Sequence, residues 1–267
     1  LKIASWAALA LGSIYLIVVH LVPALSDQMA ELIPPEAEIA MGEEMVDDFA
    51  RLLSRFEDPN FCSTPDGDRA LAAMVAQFDA GDEVYIPLTV RVLDNKMINA
   101  FALPGGQIVL FKGLIDAADT PEEIAGVLAH ELGHVVNRDP TRLTLRAAGS
   151  AGLLGLLLGD FPGAGVSVAL SEALLRSGYR REAEAAADDY ANAALSAQGL
   201  PTKPFAGFFR KLEKKVGETP EILSHLSTHP DLGGRAEKAE RADQIGDKPF
   251  TPVISDQQWV ALQAICG

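Results

Sequence analysis

Residues 120–137 read TPEEIAGVLAHELGHVVN, and within them His130-Glu131-Leu132-Gly133-His134 decides how the rest of the chain is read. The stretch opens as a helix should: Thr120 can cap it, Pro121 suits the first helical position and Glu123 stands three residues after the cap. It is expected to end near Asn137, because Asp139-Pro140 follows and the residue before a proline avoids helical backbone. On such a helix the side chains at i and i+4 share a face, so the imidazoles of His130 and His134 can reach one metal ion. Glu131 then stands beside the open coordination position, where a carboxylate can take the proton of a water attacking a peptide carbonyl. The plainer reading is a helix with two satisfied histidines. The small residues Ala125, Gly126, Ala129 and Gly133, which permit close packing around the motif, weaken it.

A catalytic zinc ion normally keeps three protein ligands and one exchangeable position, so a third ligand must come from elsewhere. After His134 the chain continues Val135-Val136-Asn137-Arg138-Asp139, which rules out a third histidine in the metzincin pattern and leaves a glutamate on a later helix. Residues 179–189, YRREAEAAADD, offer Glu182, Glu184, Asp188 and Asp189, and spacing alone does not choose among them. Glu184 and Asp188, four residues apart, share one helix face, so one can bind metal while the other orients a ligand histidine.

Outward from these motifs the chain reads as α+β and mainly helical. Residues 36–56 carry apolar side chains at helical spacing (Ile39, Met45, Val46, Phe49, Leu52, Leu53, Phe56), 58–67 is turn-rich, and 69–77 reads as a second helix. A strand is expected over 84–93, and 96–111 (KMINAFALPGGQIVLF) gives two strands joined through Pro104-Gly105-Gly106, so a small sheet precedes the motif helix. Ala147 to Leu158 and a second apolar run after Gly159-Asp160-Phe161-Pro162-Gly163 read as a buried helical hairpin, with a lid or a membrane-dipping surface as the sharper alternative. Residues 171–197 form an Ala-rich helix, and 205–215 another whose Phe205, Phe208, Phe209 and Leu212 form a packing face.

The 267 residues hold 22 Lys+Arg against 37 Asp+Glu, a formal charge of −15, which argues against nucleic acid or an anionic membrane face as the main electrostatic partner. Mean hydropathy is nonetheless +0.14. The apolar excess lies at the N-terminus, where Ile3 to Val22 carries no charge and only Ser5, Ser13, Tyr15 and His20 as polar interruptions, enough as a helix of about 20 residues to span a bilayer. Residues 1–24 are therefore expected to be a transmembrane anchor and 25–267 one domain. The chain begins at Leu1, and a cleaved signal peptide is the competing reading; the length of the apolar run and the lack of an A-x-A site after it favour an anchor. Lys2 precedes the span and no Lys or Arg follows until Arg51, which places the domain outside the cytoplasm, on the periplasmic side of a bacterial inner membrane. In that oxidising compartment Cys62 and Cys266 can close a loop of about 200 residues, with a stabilisation of order 4–5 kcal/mol in the chain-entropy account.

Four blocks in order give the sequence a family resemblance. They are Asn99-Ala100-Phe101-Ala102-Leu103-Pro104-Gly105-Gly106, the HExxH at 130–134, the RxxExxxD pattern of Arg181, Glu184 and Asp188, and Thr228-His229-Pro230 with Arg235. Over residues 40–245 the chain resembles the membrane-associated HExxH zinc metallopeptidases that include HtpX, BepA, the Oma-type protease and the CAAX prenyl endopeptidase. The resemblance implies a zincin-like domain with one Zn2+ per chain, held by His130, His134 and Glu184, and Glu131 as the base. Asp188, with Arg181 and Arg235, would support the site from behind. His229 would act at the site as an oxyanion stabiliser or as a reversible extra ligand that keeps the enzyme latent. Substrate is expected to bind as an extended strand along Asn99, Ala100 and Phe101 and along Gln107, Ile108 and Val109, the last three lying in an exposed edge strand above the metal. Unfolded or misfolded proteins are the implied clients, and the single span sets the chain with the single-span or periplasmic members. The competing function is a membrane-tethered chaperone-like adaptor, whose zinc site would be structural or closed by His130, His134, Glu184 and His229 together.

Overall fold

The computed structural model describes residues 2–54, 60–78, 85–158, 181–215, 229, 232–246 and 248–267. Helix α1 (Lys2–Leu16) runs through a π-helical turn (Ile17–Leu21) into α2 (Val22–Leu32). Pro23 has no N–H to give back to the preceding turn, which accounts for the local widening there. The stretch Ile3–Leu32 is long and apolar enough to cross a membrane, and Ile3, Trp6, Leu9 and Leu11 are exposed on it. Ile33-Pro34 breaks the helix, and α3 (Pro35–Leu53) starts with proline in its first turn.

A four-stranded mixed sheet follows, in the order β1-β2-β4-β3. Strand β1 (Phe61–Cys62) pairs antiparallel with β2 (Thr89–Leu93), β2 pairs parallel with β4 (Gln107–Phe111), and β3 (Ala100–Leu103) pairs antiparallel with β4. Between β1 and β2 lies α4 (Pro65–Val75). It begins four residues earlier than expected because Thr64 Oγ1 accepts a hydrogen bond from Gly67 N, turning the Pro-Asp-Gly-Asp sequence into a first helical turn. The strand expected over 84–93 is only Thr89–Leu93 long within the described residues.

Strand β4 is buried along its whole length, and its side chains alternate between two cores. Ile108 and Leu110 face the larger core with α4, α6 and the later helices, whereas Val109 and Phe111 join Phe49, Val46 and Met45 of α3 on the other face. A strand covered on both faces reads as a continuous apolar run, which is what Ile108 to Phe111 shows. The Pro104-Gly105-Gly106 turn needs positive φ at both glycines, 71° and 75°. A Cβ on Gly105 would also meet Ile39 Cα at 2.4 Å, so the start of α3 packs directly on this turn.

After the short α5 (Lys112–Ala117), the motif helix α6 (Pro121–Val136) runs through the interior, buried from Glu122 to Val135. It is followed at once by α7 (Asp139–Leu158), and then by α8 (Arg181–Ala197), α9 (Lys203–Lys215), α10 (Leu232–Ala242) and α11 (Asp256–Gln263). The small residues on α6 set two close crossings: a Cβ on Gly126 would strike the Phe205 ring of α9 at 2.6 Å, and one on Gly133 would meet Ala187 Cα of α8 at 2.8 Å. Phe205, Phe208, Phe209 and Leu212 form the buried face of α9, as expected. Cys62 and Cys266 are in bonded contact with Cα atoms 4.5 Å apart, joining the end of the chain to β1. The second half of the expected apolar hairpin, residues 159–170, and the first part of the Ala-rich helix, 171–180, lie outside the described residues.

The Gly133 contact yields a test. Gly133→Ala forces α8 away from α6 and should destabilise the fold by about 1–3 kcal/mol, read as a lower urea midpoint at unchanged m-value; an unaltered midpoint would show that the crossing is not tight.

Candidate metal centre

Three elements deliver the donor atoms. Helix α6 supplies His130 and His134 one turn apart, α8 supplies Glu184 from the face that crosses Gly133, and His229 enters just ahead of α10. All four side chains are buried. His134 Nε2 lies 3.1 Å from His130 Nε2, and His229 Nδ1 lies 3.3 Å from His130 Nε2 and 2.9 Å from Glu184 Oε1. Glu184 Oε1 is 3.4 Å from His134 Nε2, and Glu184 Oε2 is 3.6 Å from His130 Nε2.

These separations test whether a metal fits. Bonds of about 2.0–2.1 Å around a tetrahedral ion place the ligand atoms about 3.3–3.4 Å apart, and the five distances bracket that value. Each α6 imidazole is also turned for the task by a carboxylate. His130 Nδ1 is 2.9 Å from Asp188 Oδ1, and His134 Nδ1 is 2.9 Å from Asp139 Oδ2. With the Nδ1 protons given to carboxylates, both Nε2 lone pairs point into the centre.

The electrostatics follow from this packing. Burial and the neighbouring Arg235 hold the His130 imidazole well below its ordinary pKa, as a ligand that must be neutral requires. Burial works against the imidazolium of His134 too, but the Asp139 and Glu184 contacts outweigh it and push its pKa up to about 9. Burial likewise opposes ionisation of Glu184, yet His229, His134 and His130 hold it well below the usual carboxylate range. Glu131 is fully buried, and neither carboxylate oxygen has a hydrogen-bond partner among the described residues. His229 Nε2 stands 3.5 Å from its Oε1. A naked carboxylate in such a place is costly unless a cation or water completes it.

Arg235 of α10 closes the back of the site. Its Nε and Nη2 donate to Asp188 at 2.8–3.1 Å, its Nη1 lies 3.3 Å from Glu184 Oε2, and its guanidinium stacks 4.3 Å from the Phe209 ring centroid. Nη2 is nearly equidistant from the two nitrogens of His130, 3.0 and 3.1 Å, so it approaches over the ring face and leaves the Nε2 lone pair to the centre. Arg181, expected behind the site, is exposed at the start of α8 and lines a cavity of about 460 Å³ with Glu184, Asp188 and Lys238.

One expectation is overturned. Gln107, Ile108 and Val109 do not form an exposed edge: β4 is paired on both sides and buried, because the parallel β2–β4 pairing fills the flank that a hairpin alone would leave open. The end of the sheet is β3, with Asn99, Ala100 and Phe101, all buried, and Asn99 Oδ1 accepting from Ala100 N at 3.0 Å. Asp139 was not singled out as a site residue in the sequence; its signal was its place five residues beyond His134, masked by its apparent role as a helix stop. Thr228 and Pro230 lie outside the described residues.

Two imidazoles backed by carboxylates, with a third carboxylate and a buried glutamate beside them, form the kind of donor set that a metallopeptidase uses. A sequence model of Peptidase family M48 matches residues 65–243, and the chain belongs to that family. Similar proteins include the beta-barrel assembly-enhancing protease of Yersinia pestis, 29% identical over 92% of this chain and 52% of that protein. Metalloprotease LoiP of Escherichia coli (strain K12) is 31% identical over 61% of this chain and 63% of its own. The mitochondrial metalloendopeptidase OMA1 of Arabidopsis thaliana is 30% identical over 58% of this chain and 31% of its own. The chain thus spans less than two thirds of the length of each of these relatives.

Removing Arg235 would leave Asp188 and Glu184 buried without their guanidinium. In metal-free protein Arg235→Ala should cost about 3–5 kcal/mol by denaturant unfolding, and a loss below 1 kcal/mol would mean that water already screens these carboxylates.

Proposed function

We propose that the chain is a zinc-dependent endopeptidase that hydrolyses unfolded or misfolded proteins, tethered by its N-terminal helix in a bacterial inner membrane with the domain on the periplasmic side. The observation that carries this is the match between the donor separations at His130, His134, Glu184 and His229 and the edges of a tetrahedral site. Zinc held by His130, His134 and Glu184 supplies Lewis-acid activation of water and of the scissile carbonyl. Glu131 would accept the water's proton at Oε1 and return it to the leaving amine nitrogen. Asp188 and Asp139 hold the two imidazoles in the tautomer that carries its proton on Nδ1 and leaves the Nε2 lone pair free, and Arg235 holds the Asp188 carboxylate in place.

His229 Nδ1 lies at ligand distance from Glu184 and His130, and its Nε2 faces Glu131. We assign it as a fourth, displaceable ligand, which would keep the enzyme latent until it leaves as substrate enters. An extended peptide would pair with the outer backbone edge of β3, at Ala100 and Phe101 next to Asn99, rather than with their buried side chains. Bonding of Cys62 to Cys266 suits the oxidising compartment that the Lys2/Arg51 asymmetry indicates.

The buried four-donor set also favours a second reading, a closed structural site in a chaperone-like adaptor. Glu131 speaks against it, since a structural site has no use for a buried carboxylate that accepts no hydrogen bond among the described residues. Two experiments separate the readings. Glu131→Gln should keep zinc at one ion per chain while proteolysis of an unfolded substrate such as casein falls about 10²–10⁴-fold, and a chelator should abolish wild-type cleavage that added zinc restores. His229→Ala should retain zinc and raise the cleavage rate; retention of zinc with no cleavage by either wild type or His229→Ala would favour the structural site.

A further inference from the structure

Arg138, just ahead of α7, and Arg142 and Arg146 on it follow one another at four-residue spacing, and each meets an acid from the N-terminal helices. Arg146 pairs with Asp27 and Arg142 with Glu31 at 3.7 Å, docking α2 antiparallel along α7. The third rung is different because it is buried. Glu38, 1% exposed, accepts hydrogen bonds from Arg138 Nη2, from Thr141 Oγ1 and from the Tyr85 hydroxyl at 3.0 Å. Arg138 Nη2 also donates to Ile33 O at 2.8 Å, and its guanidinium lies 5.1 Å from the Tyr85 ring centroid.

Arg138 is the hinge between the motif helix and α7. Its φ is 56°, and it is alone among the described non-glycine residues in being left-handed. A long side chain in that conformation is disfavoured and persists only where its surroundings hold it. Here the turn lasts two residues: Arg138 N closes on Val135 O at 2.9 Å, and Arg138 O already accepts from Arg142 N at 3.0 Å in α7. The next residue is Asp139, whose carboxylate Oδ2 lies 2.9 Å from His134 Nδ1 and accepts its hydrogen bond. Glu38 sits on the first turn of α3, which packs on the backbone of Gly105, so the anchor of this network is itself stiff.

We propose that Glu38 and Arg138 are positioning residues of the metal centre: their buried pair clamps the left-handed turn that sets Asp139 against His134. The inference rests on His134 being a metal ligand, as argued above. Neither residue touches the donor atoms, and the effect passes through backbone geometry to the orientation of one imidazole.

The test uses the full chain, with zinc affinity read by competition with a chelating dye and ligand geometry read from the d–d absorption of cobalt-loaded protein. Glu38→Gln and Asp139→Asn should each weaken zinc binding about 10–100-fold, and the double variant should be no weaker than the worse single one, because both act on one turn. Arg138→Asn, which suits positive φ but lacks the guanidinium, should fall as far when zinc affinity is read well below its lowered metal-free melting temperature, where the protein is fully folded. Asp27→Asn, on an outer rung, should stay within about twofold of wild type. If Glu38→Gln fails to fold, Arg138→Asn and Tyr85→Phe decide, the latter expected to show a shift of about two- to threefold in the same direction. Wild-type affinity and an unchanged cobalt spectrum in Glu38→Gln or Arg138→Asn would overturn the inference, as would losses that simply add to that of Asp139→Asn. Wild-type protein that takes up no zinc at all would overturn the metal-centre reading, and this inference with it.

Discussion

Two imidazole nitrogens 3.1 Å apart in a buried pocket, each with its other nitrogen committed to a carboxylate, aim lone pairs at the same point. That arrangement is repulsive unless a proton or a cation lies between them, and much of the interior can be understood as holding it in place. The motif helix must run through the core to bring its histidines inward, so it is apolar or small on nearly every face. Glycine at position 133 lets α8 come close enough for Glu184 to reach the same point, and α10 brings the guanidinium that pairs with Glu184 and Asp188.

The sheet and the N-terminal helices serve this geometry from outside. With β4 covered on both faces, the sheet is a rigid floor: one side carries the motif helix, the other α3. The apolar N-terminal helix continues without a break into a segment bound by ion pairs along α7, and α7 begins at the turn next to His134. The apolar N-terminal helix and the histidine cluster are therefore joined by a short run of stiff elements.

Much of this was legible in the sequence because it is local. The caps and spacing of residues 120–137 marked the helix and both histidines, and the Phe205-to-Leu212 stripe marked a buried face. Four acids competed for the third ligand position; spacing did not choose among them, the family resemblance pointed to Glu184, and the crossing at Gly133 and Ala187 brings it inward. The exposed-edge expectation for Gln107 to Val109 failed because a hairpin reading is local, whereas the parallel pairing with β2 is not. Asp139 and Glu38 were missed for a related reason: one looked like a helix stop and the other like one acid among many, and their roles depend on an unusual φ at Arg138 and on partners 100 residues apart or more.

The most direct test of the account is X-ray absorption at the zinc edge of the zinc-loaded chain. The account predicts a four-coordinate shell of nitrogen and oxygen at about 2.0–2.1 Å with the outer scattering of imidazole rings, and loss of that imidazole signal when His130 and His134 are replaced by alanine. A shell containing sulfur at about 2.3 Å, which would place the ion at Cys62 and Cys266, or a shell without imidazole, would contradict it.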